Sequence, residues 1–244
     1  MNSMHRLLLV LAAWIAWGQP RPEFDVASLK PVILDGQDSY RANLGSVQHG
    51  VLTMTNVTLA DCLRVAYGIP TEDQIAGPAW IKSKSVRFDI TAKASPDTSR
   101  EAAFRMLQPL LEQRFQMTYH HEDREMSYLA MTPAKTGSKL EAAKEPPEGI
   151  VSLGGNHIQH NHIDMPLLAY LISRFTRTRV LDMTGLKGYF VVDLSWAPDD
   201  APADVEGLSI QNAIQKQLGL KLEARKGPID TLVVDKANET PIGN

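Results

Sequence analysis

The sequence predicts an α+β fold made of two duplicated halves. Each half runs strand-helix-strand-strand-helix-hairpin, with its helices packed on one face of a small sheet. Three observations carry this prediction. First, residues 208–235 read as a helix followed by two apolar strands. Ile210, Ile214 and Leu218 recur every four positions, the stripe of a 3.6-residue helix. Leu220 and Leu222 then alternate with Lys221 and Glu223, Lys226-Gly227-Pro228 supplies a turn, and Thr231 to Val234 returns. Second, the same block stands 103 residues earlier, where Phe115, Met117, Tyr119, Leu129 and Met131 match Leu218, Leu220, Leu222, Leu232 and Val234. Third, Val192-Asp193-Leu194 matches Phe88-Asp89-Ile90, so the repeat reaches beyond the hairpins.

The elements follow in order. Phe24 to Leu29 alternates as a strand stopped by Pro31, and residues 35–50, polar and glycine-bearing, read as a loop. Val51 to Thr55 is a strand. Thr58 and Asp61 open a capped helix carrying Leu59, Cys62, Leu63 and Ala66, and Gly68 closes it. Gln74 to Trp80, interrupted by Gly77-Pro78, is an edge strand or turn. Val86, Phe88 and Ile90 form a half-buried strand. Thr98-Ser99-Arg100-Glu101 opens the next helix, in which Pro109 predicts a kink. After the first hairpin, residues 136–150 carry Pro146-Pro147 and read as a linker. The second half repeats the order: His157 to His162 as a strand, then a helix from Asp164 bearing Leu167, Leu168, Leu171 and Phe175. Short and long strands follow at 179–183 and 189–196. The predicted boundaries are a leader at 1–18, halves at 19–135 and 151–237, and a tail at 238–244.

A helix stripe on a one-sided sheet gives each half a small core. At about 1.5–3 kcal/mol per buried large side chain, such a core barely exceeds its ordering entropy. The halves are therefore expected to share an interface.

Whole-chain numbers narrow the function classes. Of 244 residues, 43% are apolar and 22% charged, the balance of a folded globular protein. A net charge of −3 without a dense Lys/Arg run argues against a nucleic-acid or anionic-membrane partner. Met1 to Arg6 is followed by an apolar run, Leu7 to Trp17, and Ala16-Trp17-Gly18 sets small residues before a cut at Gln19. That is the layout of a signal peptide. Its eleven residues make about 16 Å of helix, half a bilayer core, so no membrane span is expected in the mature chain. The expected place is the periplasm or the cell exterior. Cys62 is the only cysteine, so no internal disulfide can form, and its apolar setting reads as an inert core thiol.

Several blocks together resemble a family of secreted proteins common in soil Acidobacteria, a domain of unknown function. They are FDVASLKP at 24–31, TMTNVTLADCLRVAYGI at 53–69, AGPAW at 76–80, VLDMTGLKGYFVVDLSW at 180–196 and QLGLKLEARKGPIDTLVVD at 217–235. In that family a lysine usually stands where this chain has Met183. The resemblance implies export and a duplicated α+β build, and supplies no catalytic residue. The helix before QLGLKLE and its closing hairpin are also similar to the short N-terminal modules of outer-membrane secretins and TonB-dependent transducers, which bind proteins or peptides.

Few residues suggest chemistry. His157, His160 and His162 form HxxHxH on a strand, where alternation sends His157 to the face opposite the other two. His120 and His121 are adjacent and diverge likewise, so no metal site is assigned. No GxSxG elbow, HExxH helix, Walker-type phosphate loop or dinucleotide GxGxxG turn is present, and no cofactor is implied. The sequons at Asn56 and Asn238 carry no assignment. Tyr67, Trp80, Tyr189 and Trp196 end helices or strands, where rings can border a groove or plug a sheet end, and are the candidate ligand-binding residues. The sequence thus points to a non-enzymatic binding or scaffold module of the envelope, with a protein, peptide or glycan partner. An envelope or extracellular hydrolase with its site between the halves is the alternative, and metal sequestration by the histidines a third reading.

Overall fold

The computed structural model describes residues 21–33, 41–144, 151–198 and 207–243. The leader, its cut before Gln19 and Pro146-Pro147 lie outside the described residues. The fold is mixed α+β, in three four-stranded sheets.

The first sheet has the order β1-β5-β3-β2, from Val26–Pro31 (β1), Asn43–Gln48 (β2), Val51–Val57 (β3) and Phe88–Lys93 (β5), all antiparallel. Phe88, Ile90 and Ala92 point into the core while Asp89, Thr91 and Lys93 face solvent, the period of two that the sequence showed. Helices α1 (Leu59–Tyr67) and α2 (Arg100–Arg114) belong to this half. Thr58 caps α1 with a reciprocal capping box to Asp61, and Gly68 ends it in the left-handed conformation at φ 64. Ser99 caps α2, accepting from the Ala102 N–H, and the helix runs on through Pro109.

The second sheet repeats the order as β7-β11-β9-β8. Its strands are Glu141–Ala142 (β7), Val151–Gly154 (β8), His157–Ile163 (β9) and Phe190–Ser195 (β11). Helix α3 (Met165–Thr176) is capped by Asp164 with Pro166 in its first turn. Helix α4 is short, Ile210–Ala213, and continues as a π-helical segment, Ile214–Leu218, whose Ile214 and Leu218 are buried. Two strands, β2 and β8, fall where no strand was expected. Polar positions mask them: Ser46 and Gln48 of β2 and Ser152 of β8 are exposed. Strand β7 also lies in the stretch read as a linker, pairing with Phe190 and Val191.

The third sheet changes the expected picture. Instead of two hairpins, residues Thr118–Pro133 (β6) and Leu220–Lys236 (β12) are single long strands that pair antiparallel along nearly their whole length. Lys226-Gly227-Pro228 is mid-strand, with Gly227 opposite Met126 and Pro228 opposite Glu125. The expected turn does not form because the opened strands share one long ladder, and Gly227 has no positive φ to reverse the chain. Val180–Asp182 (β10) flanks β6 and Ile75–Ala76 (β4) flanks β12, each parallel, giving the order β10-β6-β12-β4.

The halves therefore exchange their closing strands. Leu232 and Val234, encoded in the second half, are buried with Phe115, Met117 and the first-half residues of α1 and α2. Met131, encoded in the first half, is buried with Leu218, Leu220, Ile163 and Ile172, and Leu129 packs against that core. These are the residues that matched at a spacing of 103, each installed in the other copy's core. The two cores sit on one face of the ribbon ends. On the opposite face Tyr128, Ala130 and Ile229 form a third small cluster with Met126 and Leu181.

Candidate functional site

The exchange brings two walls face to face. The first wall follows α1, where Arg64, Pro70, Thr71, Glu72 and Asp73 form a turn. Thr71 and Gln74 are buried, and the Thr71 hydroxyl donates to the Gln74 Oε1 at 2.9 Å. The Gln74 amide in turn donates to the Asp230 carbonyl of β12 at 3.2 Å. The exchanged strand thus holds the wall in place. The second wall is the end of α3, where Arg174 is exposed and Arg177 caps the helix at φ 52. Between them lies a cavity of about 540 Å³ lined by Arg64, Thr71, Glu72, Asp73, Lys84, Arg174 and Arg177.

The lining is ionic. Arg64 is fixed: its Nη2 donates to the Pro70 carbonyl at 2.8 Å, and its Nη1 stands 3.8 Å from Asp61. Among the described residues neither Arg174 nor Arg177 has a carboxylate within 4 Å, and neither Glu72 nor Asp73 has a cation at that distance. Two smaller spaces share this lining. One, about 300 Å³, adds Lys82 and Asp61; the other, about 60 Å³, adds Leu44, Ile69, Arg100, Phe104 and Tyr170. A larger hollow of about 600 Å³ lies between residues 23–27 and α2, wholly within the first half.

The four candidate rings do not meet. Tyr67 packs edge-on to Tyr119 at 5.2 Å and its hydroxyl donates to Glu112 at 3.2 Å; burial pushes that hydroxyl's pKa upward. Trp80 lies against Phe115 in the first core, and Trp196 meets Phe175 edge-on at 4.8 Å in the second. Tyr189 is 48% exposed and stacks on His162 at 3.9 Å. None of the four lines the cleft.

The histidines are apportioned elsewhere. His120 and His121 lie on β6, paired with Asp235 at 2.8 Å and Asp230 at 3.0 Å across the ribbon. The hydrogen bond to Asp235 raises the His120 pKa above its ordinary 6.5. On β9, His157 holds Asp193 at 2.8 Å, and burial lowers the pKa of His160. Among the described residues no three His, Cys, Asp or Glu side chains converge on a metal position. Cys62 is fully buried, and burial pushes its thiol upward, away from thiolate reactivity. No helix among the described residues is long and apolar enough to cross a membrane.

The cleft residues escaped a reading by motif because most of them, Glu72, Asp73, Lys84, Arg174 and Arg177, are single charges at exposed positions. The one local signal was Arg174, Arg177 and Arg179 within six positions at the end of α3.

Comparison with known proteins is sparse. No curated protein and no solved structure matches the chain. One family does, described as a protein of unknown function, DUF3738, over residues 60–237. That span runs from α1 to the end of β12 and takes in both walls of the cleft, and the chain belongs to this family.

Proposed function

We propose that this is an exported, non-enzymatic binding module of the cell envelope, which takes its ligand in the cleft between its halves. The observation that carries this reading is the cavity of about 540 Å³ whose opposing walls hold arginines and carboxylates that do not pair with one another. Charged groups held apart in a concave space are partners for something else. The apolar run at Leu7 to Trp17, followed by Ala16-Trp17-Gly18, supports export. A hydrolytic reading gains no specific support, since the histidines of β6 and β9 stand away from this lining.

The test is retention from envelope extract by the full chain, compared with Asp73→Trp, which narrows the cleft at an exposed position. A ligand kept by the parent and lost by the variant is the expected result. Retention that ignores the substitution, or no retention at all, would overturn the reading.

A further inference from the structure

We propose that the cleft takes a compact oxyanion bearing two or more negative charges, held between Arg64 of the first half and Arg174 and Arg177 of the second. The proposal rests on the binding reading above and adds the chemistry of the ligand.

Charge is the first argument. The whole chain carries −3. Among the described residues the cleft and its two side spaces gather Arg64, Lys82, Arg100, Arg174 and Arg177, besides Lys84, against Asp61, Glu72 and Asp73. A local excess of this sign on an acidic protein concentrates anions there.

Geometry is the second. Arg64 already spends Nη2 on the Pro70 carbonyl, which fixes the plane of its guanidinium, while its Nη1 keeps only a loose contact of 3.8 Å with Asp61. Arg174 and Arg177 approach from the opposite wall with no carboxylate of their own among the described residues. Guanidinium groups present planar forks that suit phosphate and carboxylate oxygens, so an anion with several oxygens can be gripped from both sides.

Size is the third. The apolar lining beside the cleft, Leu44, Val65, Ile69, Phe104 and Tyr170, shares with Arg64, Arg100 and Arg174 a space of about 60 Å³, so a long acyl or aryl tail has no apolar seat there. That leaves a small phosphate ester or a polycarboxylate. Glu72 and Asp73 repel such a ligand and press it toward the α3 wall.

The experiment is calorimetry on the full chain with glycerol phosphate, inorganic phosphate and citrate, against nitrate at matched ionic strength. Saturable binding of a phosphate species or of citrate, without nitrate binding, is expected, and which of them binds identifies the source of the oxyanion. Arg174→Glu should weaken it at least tenfold. Arg177→Gly should weaken it several-fold while the Tm stays level or rises, because φ 52 is a backbone setting glycine adopts freely; the loss then cannot be misfolding. Asp73→Asn should tighten it, the sign opposite to that of a cationic ligand. No saturation by any polyvalent anion, or an affinity indifferent to both arginine substitutions, would overturn the proposal. If a neutral or cationic molecule is retained and then lost in Asp73→Trp, the cleft reading stands and only the oxyanion falls.

Discussion

Glu125 lies directly opposite Pro228 in the ribbon, and Pro228 is also the residue 103 positions after Glu125. A residue paired with its own repeat mate marks the centre of a two-fold relation between the copies. On either side Ala224 faces Leu129 and Leu232 faces His121 in the same register. The flanking strands obey the relation too, since Val180 beside Leu129 mirrors Ile75 beside Leu232. Each copy lends the other its closing strand.

That exchange predicts effects in the half remote in sequence. Leu232 is 1% exposed within the first core, so Leu232→Ala should cost about 2–4 kcal/mol. Hydrogen exchange followed by mass spectrometry should show the lost protection in β3 and α1, with β9 and α3 little changed. Met131→Ala should give the reverse map, because Met131 is buried with Ile163 and Ile172. Loss confined to the half that encodes the substituted residue would refute the exchange.

A second expectation concerns two positions related by the repeat. Gly219 has φ 65, and a Cβ there would collide with the Gly137 carbonyl oxygen; Gln116, its mate, holds φ 46 with a full side chain. Gly219→Ala should therefore destabilise by about 2 kcal/mol or more. Gln116→Gly should be neutral to stabilising by about 1 kcal/mol, its gain reduced by the lost contact with Asn238 at 2.7 Å. Urea denaturation of both variants decides the matter.

The ribbon histidine gives a third. The folded pKa of His120 is raised, chiefly by its hydrogen bond to Asp235 and then by the carboxylates of Asp235 and Glu122. Its contribution is thus fully present below the unfolded value of about 6.5 and disappears as pH rises through the folded value. His160, lowered by burial and by His162, works in the other direction: its contribution is lost as pH falls from the unfolded value through the folded one. Proton NMR titration should place His120 above and His160 below 6.5, and Asp235→Asn should bring His120 down while leaving His160 in place.

Cys62 supplies the last. Buried among Leu59, Leu63 and Ala66 with its thiol pKa raised, it should resist a thiol reagent in the folded protein and react fully in denaturant. Prompt labelling of the native chain would contradict this packing.

Much of the fold was legible because local rules and global structure agree there. The Thr58–Asp61 box and the alternation of Phe88 and Ile90 appear where the sequence placed them. The hairpins were misread for a physical reason. Lys226-Gly227-Pro228 is turn-like in isolation, and Leu129 and Leu232 are so alike that pairing within a copy and pairing across copies satisfy the same pattern. Only the long-range ladder separates the two. The cleft was hidden for a related reason: Asp73 and Arg174 have no sequence relation until the exchanged strands dock α3 against the turn after α1.

The crossing of β6 and β12 also orders events in time. The N-terminal core needs Leu232 and Val234, which are made more than a hundred residues after Phe115, so it stays open until the second copy has been synthesised. A chain stopped short of residue 229 would leave the first core unfinished, whatever the completeness of the elements that precede it.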